Sequence, residues 1–298
     1  MGLTINGRLT VISGGSQGLG ASLAKVFVRE GGNVVIVART EAKLKEKVKE
    51  LEHDRQNEQQ RIGYIAADVS KGQECDRVFK ELGESPDIVI CCAGGATPGL
   101  FVEKTTEELD HNMNIVYNTA LHFSHAALKV MTKDREASSR ERHLIYCSSV
   151  LAVFSFIGYS SYGPGKAAIR ALADIVRQEC IPYNIRVHNL LPGNIDTEGF
   201  ELEERTKPEI TRKIEGPSAP RDPDQVAQEI VRDLRRGKET IYTDFIGWVL
   251  GGLQLGISPR SWGVFQALVA ILFALFTPIW TFIMNRDIKN FFRSKNGQ

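Results

Sequence analysis

Three side chains that can protonate a carbonyl oxygen lie close together in this chain: Ser149, Tyr162 and Lys166. A Tyr and a Lys four residues apart at the start of a helix project from the same face. Ser149 follows the apolar run 142–147, which is typical of a buried strand. A strand end, a loop and a helix start can therefore bring a hydroxyl, a phenol and an ammonium together. Because Tyr-x-x-x-Lys is also common on solvated helices, its chemistry depends on the surrounding elements.

From residue 8 the pattern alternates between strand and helix. Strands are predicted over residues 8–13, 33–38, 62–67, 86–91, 142–147, 185–190 and 240–242. Helices are predicted over residues 21–30, 41–56, 75–82, 106–131, 162–180 and 222–236, whereas 199–221 is predicted to be irregular. This alternation predicts an α/β fold, a Rossmann-type doubly wound parallel sheet of about seven strands. Ligands in such sheets bind beyond the carboxyl ends of the strands.

Charge, composition and residue spacing give no indication of nucleic-acid binding, disulfide bonds, a metal site or a signal peptide. A chain of 298 residues has room for one α/β domain with an appendage, and its net charge of +1 gives no reason to expect nucleic acid. The five cysteines show no C-x-x-C spacing, which predicts reduced cytosolic thiols. His122 and His125 share a helical face but have no acidic or cysteine partners nearby, so no metal site is predicted. A Gly-rich strand and turn begin almost at once, so no signal peptide is expected.

The turn after the first strand predicts a dinucleotide site. Residues 13–20 read Ser-Gly-Gly-Ser-Gln-Gly-Leu-Gly, between a predicted strand and a predicted helix. Glycines there let the backbone approach a pyrophosphate, and the helix N-terminus favours its charge. The predicted cofactor contacts in this turn are Gly14, Ser16, Gln17, Gly18, Leu19 and Gly20.

The end of the second strand selects the nucleotide. An acidic residue there would bind the ribose hydroxyls and repel a 2′-phosphate, but this chain has Arg39, with Lys43 one turn later. Because a guanidinium can bind a phosphate and stack on adenine, NADPH is the predicted cofactor, and an ordinary surface arginine is the alternative. Asp68, at the end of the third strand, either accepts from the adenine amine or caps the next helix.

Together these features resemble the short-chain dehydrogenase/reductase family over residues 6–243. The glycine turn matches the family's T-G-x-x-x-G-x-G, with Ser13 in place of Thr. Asp68-Val69 is similar to the adenine-contact position. The segment Cys-Cys-Ala-Gly at 91–94, which includes Ala93 and Gly94, corresponds to N-N-A-G with both Asn replaced. That departure removes the usual Asn hydrogen bonds near the fourth strand.

The resemblance implies a catalytic set of Asn114, Ser149, Tyr162 and Lys166. Tyr162 would donate the proton, with its pKa lowered from about 10 by the Lys166 ammonium. Lys166 would also hold the nicotinamide ribose, Ser149 would donate to the carbonyl oxygen, and Asn114 would anchor a water that relays protons to Lys166. The segment 192–197 resembles P-G-x-x-x-T, which implies nicotinamide contacts from Pro192, Gly193, Ile195 and Thr197. With NADPH the expected direction is reduction.

After residue 243 the chain continues with two uncharged runs, 245–257 and 261–285. The second is long enough to cross ~30 Å of hydrocarbon as a helix, with Trp262 and Trp280 near its ends. A basic tail that prefers the cytoplasmic side follows: Arg286, Lys289, Arg293 and Lys295. We therefore predict a catalytic domain over 1–243 and a membrane-associating tail over 244–298. A membrane span, a hairpin and an in-plane helix all remain open, and a buried core or dimerisation helix is the alternative.

A cytosol-facing reductase on a membrane suggests a substrate dissolved in that membrane. The glycine turn, Cys-Ala-Gly-Gly and the tail look most like those of family members that reduce the 3-keto group of long-chain sphingoid bases at the endoplasmic reticulum. A membrane-bound reductase of a steroid or of a long-chain 3-ketoacyl thioester is the closest rival, and a non-catalytic nucleotide-sensing scaffold is another. The resemblance also implies a substrate lid within 199–221 and a homodimer or homotetramer formed through the long helices near 106–131 and 160–180.

Overall fold

The computed structural model describes residues 2–134, 140–216, 219–254 and 263–295. Within them, seven parallel strands form one sheet in the order β3-β2-β1-β4-β5-β6-β7. The strands are β1 Leu9–Ser13, β2 Asn33–Ala38, β3 Ile62–Ala66, β4 Ile88–Cys91, β5 Arg142–Cys147, β6 Ile185–Leu191 and β7 Thr240–Tyr242. The strand order reverses its direction at β1, so a crevice forms between β1 and β4 where ligands bind in doubly wound folds. The predicted Rossmann-type sheet is confirmed.

Helices cover both faces of this sheet. They are α1 Gly18–Arg29, α2 Glu41–Glu52, α3 Gly72–Leu82, α4 Thr106–Met113, α5 Thr119–Met131, α6 Gly163–Glu179, α7 Glu198–Thr206, α8 Glu209–Glu215, α9 Pro223–Arg235, α10 Phe245–Leu253, α11 Gly263–Ala274 and α12 Thr277–Lys295. Successive residues of β1 point to opposite faces: Val11 joins the core beneath α3, α5 and α6, and Ile12 joins the core beneath α1 and α9. This two-sided burial explains why the strands are rich in apolar residues.

The helix predicted over 106–131 is interrupted. A capping box between Thr105 and Glu108 starts α4. A π-helical turn, Asn114–Asn118, then separates α4 from α5. Thr119 anchors this turn to the sheet, because its hydroxyl lies 3.2 Å from the carbonyl oxygen of Ala93, just beyond β4. The turn therefore lies beside the ligand-binding edge.

The prediction that residues 199–221 are irregular is wrong. Two helices, α7 and α8, occupy most of this stretch. Thr197 caps α7 by accepting from the amide of Phe200 at 3.1 Å, and Pro208 immediately precedes α8. Proline is compatible with a helix boundary and disrupts only a helix interior, so its presence did not exclude helices here. Pro217 lies outside the described residues.

The region after β7 is helical. Among the described residues, no single helix is long and apolar enough to cross a membrane, but Gly263–Ala274 and Pro278–Phe292, bent by 44°, meet the requirements of length and composition together. The far end of α12 packs on α8, where Met284 and Ile288 join the apolar cluster of Ile210 and Ile214. Trp262, predicted at one end of the second uncharged run, lies outside the described residues, as do the side chains of Arg293 and Lys295.

Candidate active site

A cleft of about 460 Å³ lies beyond the carboxyl ends of the strands. All the predicted site residues except Asn114 line it. These are Gly14, Ser16, Gln17, Gly18, Leu19, Gly20, Arg39, Lys43, Asp68, Val69, Ala93, Gly94, Ser149, Tyr162, Lys166, Pro192, Gly193, Ile195 and Thr197. The sheet topology thus brings together residues that are far apart in the sequence.

The glycine turn fits the pyrophosphate of a dinucleotide. Gly14 and Gly18 have φ values of 71° and 58°, a conformation that favours glycine. A Cβ on Gly20 would lie 2.3 Å from the carbonyl oxygen of Gly14, so the turn packs directly against α1. Gln17 makes no side-chain capping hydrogen bond at the start of α1. The amide groups of the first helical turn can therefore donate to an anion.

Two cations lie at the end of the cleft beside β2. Arg39 is exposed and makes no ion pair among the described residues. Lys43 is held by Gln17 at 3.0 Å and by Glu198 at 2.7 Å. This end of the cleft therefore offers positive charge to an anionic group, with Arg39 the more available donor.

Asp68 lies close to these cations and lines the same end of the cleft. Its carboxylate accepts from the hydroxyl of Ser70 at 2.7 Å. Burial raises the pKa of Asp68, but the hydrogen bonds from Ser70 and the charges of Lys71 and Arg39 outweigh burial and lower it. Asp68 thus organises the turn before α3 and still faces the cleft, so the structure is compatible with both of its predicted roles.

Tyr162 and Lys166 meet at the start of α6. Tyr162 is the residue before the helix, and Lys166 follows one turn later, with its Nζ 5.5 Å from the centre of the phenol ring. Lys166 is 5% exposed and donates to the carbonyl oxygen of Cys147 at 2.8 Å, while Ser148 donates to the Lys166 carbonyl at 2.7 Å. These bonds fix the ammonium between β5 and α6. The hydroxyl of Ser149 accepts from the amide of Leu151 at 3.2 Å and lines the cleft together with Tyr162 and Lys166, so the three residues share one end of it.

The pKa of Tyr162 differs in direction from the prediction. Burial raises the pKa of the phenol, and the Lys166 ammonium lowers it without offsetting burial, so the net direction is upward. The prediction was right about the effect of Lys166 and wrong about the balance, because sequence does not report how much water the fold removes. A raised pKa keeps the phenol protonated but makes it a weaker acid. The nearby ammonium stabilises the phenolate that donation leaves behind.

Asn114 is the exception among the predicted residues. Its side chain is exposed, and its amide oxygen accepts from the side chain of Asn118 at 2.6 Å. The π turn places Ile115 and Thr119 on the cleft instead. An insertion of this kind rotates the helix face, which a regular helical repeat does not anticipate. Asn114 therefore does not line the cleft with its side chain, and its water-anchoring role stays a prediction.

Sequence reasoning also missed residues that line the cleft. They include Cys92, Cys147, Leu151, Asn194, Phe200 and Glu203. Cys92 directly follows β4 and Cys147 is the last residue of β5, so their strand-end positions were an available signal. Phe200 and Glu203 lie on α7, within a stretch predicted to have no regular structure.

Comparisons with known proteins agree with this site. Residues 8–208 match the model of the short chain dehydrogenase family. A short-chain type dehydrogenase/reductase from Mycobacterium ulcerans has the same fold, with a TM-score of 0.69 and 21% identity over 80% of this chain and 89% of that one. This chain belongs to the short chain dehydrogenase family. It is therefore an oxidoreductase that uses a nicotinamide cofactor.

Within that family the chain is similar over nearly its whole length to curated 3-ketodihydrosphingosine reductases. The Yarrowia lipolytica protein of that name is 41% identical, over 98% of this chain and 80% of its own length. The Saccharomyces cerevisiae protein is 35% identical, over 100% of this chain and 99% of its own length. The similarity thus includes the segment after residue 243.

Proposed function

We propose that this protein reduces the 3-keto group of 3-ketodihydrosphingosine to dihydrosphingosine with NADPH. The observation that carries the proposal is the full-length similarity to reductases named for that substrate, which extends through the C-terminal segment. The cleft supports it, because a hydroxyl, a phenol and an ammonium meet at its catalytic end.

The bound dinucleotide would supply the hydride, and the residues of the chain handle the proton. Tyr162 donates its proton to the carbonyl oxygen, and Lys166 stabilises the resulting phenolate. Ser149 donates to the same oxygen as negative charge develops there. Arg39, with no carboxylate at the end of β2, favours NADPH over NADH.

Membrane attachment is part of the proposal. Large apolar side chains are exposed along α10, α11 and α12: Phe245, Ile246, Val264, Phe265, Leu268, Ile271, Leu272, Phe273, Leu275, Phe276, Ile279, Trp280, Phe282 and Ile283. Many exposed apolar side chains on successive helices are typical of a membrane or protein contact. α12 packs on α8, and Glu215 at the end of α8 accepts from Asn194, which lines the cleft, so a tail held in the bilayer would keep the cleft near the lipid substrate. We place the protein on the endoplasmic reticulum membrane, with the catalytic domain facing the cytosol.

Turnover of purified full-length protein with NADPH and three ketones tests the function: 3-ketodihydrosphingosine, a steroid ketone and a long-chain 3-ketoacyl-CoA. We expect reduction of the first. For Tyr162→Phe we expect a loss of about 10²- to 10⁴-fold in turnover with NADPH binding unchanged, since only the proton donor is removed. Tyr183→Phe, at an exposed position outside the cleft, is the matched control. Turnover of only the other two ketones would refute the substrate, and near-normal activity of Tyr162→Phe would refute the proton donor.

Flotation with liposomes tests membrane attachment. Leu268→Lys combined with Leu272→Lys places charge on the exposed apolar surface and should release the protein from the vesicles. Ile181→Lys changes a side chain that is 74% exposed but lies far from this surface in the sequence, and should leave flotation unchanged. Equal flotation of all three proteins would contradict the proposed surface.

The oligomeric state is a separate proposal. We expect a homodimer or homotetramer formed through α5 and α6, on the strength of the family resemblance. Ile175 on α6 is 55% exposed, as an apolar residue at a subunit contact would be in one isolated chain. Light scattering in detergent would report the mass, and a monomer at micromolar concentration would contradict the expectation.

A further inference from the structure

Helix α7 places a carboxylate at the catalytic end of the cleft. The Glu203 side chain is 16% exposed and lines the cleft. The hydroxyl of Tyr159 donates to it, and the Tyr159 ring lies 6.2 Å from the ring of Tyr162, centre to centre. Among the described residues that line the cleft, Asp68 is the other acid, and it lies at the nucleotide end. Glu203 is therefore the carboxylate closest to where a substrate carbonyl would lie.

The cluster around Glu203 carries excess negative charge. Lys207, whose side chain is 1% exposed, pairs with Glu204, with Glu215 at 2.7 Å and with Glu203 at 3.6 Å. Arg212 is the second cation, 3.5 Å from Glu204. Three carboxylates thus face two cations. Glu203, Glu215 and Lys207 are largely buried, where an uncompensated charge is costly, whereas Glu204 and Arg212 reach solvent.

The pKa of Glu203 also indicates that its carboxylate lacks enough positive charge nearby. Burial raises the pKa of Glu203, and neither the hydrogen bond from Tyr159 nor the charge of Lys207 offsets burial and the repulsion from Glu215 and Glu204. A further positive charge beside this carboxylate would offset the cost of burying its negative charge and the repulsion from Glu215 and Glu204.

We infer that Glu203 is a specificity-determining residue that binds the ammonium of a 2-amino ketone. The inference rests on the proposed function: in 3-ketodihydrosphingosine a primary amine is on the carbon next to the ketone. A carbonyl that accepts from Tyr162 therefore brings its ammonium to the same end of the cleft. The carboxylate accepts hydrogen bonds from the ammonium, and the ammonium neutralises the excess negative charge of the cluster. The pairing therefore stabilises both groups.

Kinetics of full-length Glu203→Gln with two ketones test this inference. One ketone is 3-ketodihydrosphingosine, and the other is the same long-chain hydroxy ketone with hydrogen in place of the amine. For the amino ketone we expect kcat/KM to fall by about 10- to 100-fold, mainly through KM. For the ketone without the amine we expect a change of less than about twofold, because no charge pair is lost. Glu203→Asp should recover part of the activity on the amino ketone.

Glu204→Gln is the matched control. Glu204 is the next residue and also pairs with Lys207, but it does not line the cleft, so neither ketone should be affected. In the wild-type protein, dihydrosphingosine should inhibit more strongly than its N-acetyl derivative, a comparison that does not depend on any variant folding.

The outcomes separate the two proposals. Equal losses on both ketones in Glu203→Gln, with normal wild-type turnover, would assign Glu203 a structural role and overturn this inference alone. Equal inhibition by the amine and its acetylated form would also overturn it. Absence of wild-type turnover of the amino ketone would overturn the proposed function, and this inference with it.

Discussion

Arg39 should decide the preference for NADPH, and Arg39→Ala tests this. Arg39 is exposed in the cleft and makes no ion pair among the described residues, so its guanidinium is available to a 2′-phosphate. Lys43, the other cation at this end, is held by Gln17 and Glu198. Most of the discrimination between the two dinucleotides should therefore come from Arg39.

The magnitude follows from the exposure of the guanidinium. Hydrogen bonds to charged groups contribute about 1.5–3 kcal/mol, and solvent screening places an exposed pair near the lower end. A loss of about 1.5–2 kcal/mol corresponds to a rise of about 10- to 30-fold in the KM for NADPH. The KM for NADH, which lacks the phosphate, should change by less than about twofold, and kcat should hold because Arg39 does not touch the reacting atoms.

The assay is initial-rate reduction of the ketone at varied NADPH or NADH, followed by the absorbance of the reduced nicotinamide. Lys45→Ala is the matched control, because Lys45 is a nearby cation on α2 that pairs with Glu41 at 3.0 Å and does not line the cleft. Equal increases in the KM for NADPH and NADH in Arg39→Ala would refute the reasoning. That result would mean that Arg39 contacts a part common to both dinucleotides, such as adenine.

Two predictions concern stability. In Gly20→Ala the new methyl would lie 2.3 Å from the carbonyl oxygen of Gly14, so we expect about 1–3 kcal/mol of destabilisation, seen as a lower Tm, and weaker NADPH binding. Gly63→Ala is the control, because a Cβ there would meet no atom within 4 Å, and it should change neither the Tm nor NADPH binding. His143 and His188 form a buried pair, 3.0 Å between ring nitrogens, and burial lowers the pKa of His143 to about 3 and that of His188 to about 4. Both are neutral in the fold and gain a proton below pH ~6.5 when unfolded, so stability should fall by about 1.4 kcal/mol per pH unit for each histidine as the pH drops from about 6.5 toward 4. Denaturant unfolding at pH 7.5 and 5.5 measures this, and an equally steep pH dependence in His188→Gln would contradict the assignment.

Most strands and helices were predictable because their signals are local. The strands β1, β2 and β5 are rich in apolar residues because both faces of a doubly wound sheet are buried, although β5 begins with the buried polar residues Arg142 and His143. Residues at the ends of such strands share one edge of the sheet, so the glycine turn, Arg39 and Asp68 could be assigned to one cleft. The proximity of Tyr162 and Lys166 could be predicted from the helical repeat alone, since residues four apart lie on the same face of a helix.

Other features depended on contacts between distant segments. The helices α7 and α8 are short and polar, and α8 gains its burial from α12 and from the chain near Leu100, which no local window contains. The π turn that leaves Asn114 exposed is anchored by Thr119 to Ala93 on a neighbouring element. In both places tertiary contacts outweighed weak local preferences.

By itself the sequence determined the seven strands and most of the helices between them, the dinucleotide turn and the pairing of Tyr162 with Lys166, because chain periodicity and short spacings encode them. Only the tertiary structure decided the direction of the Tyr162 pKa, the position of the Asn114 side chain outside the cleft and the placement of Glu203 in the cleft. Burial, helix rotation and the approach of residues far apart in the chain depend on how the elements pack, and no local pattern records that packing.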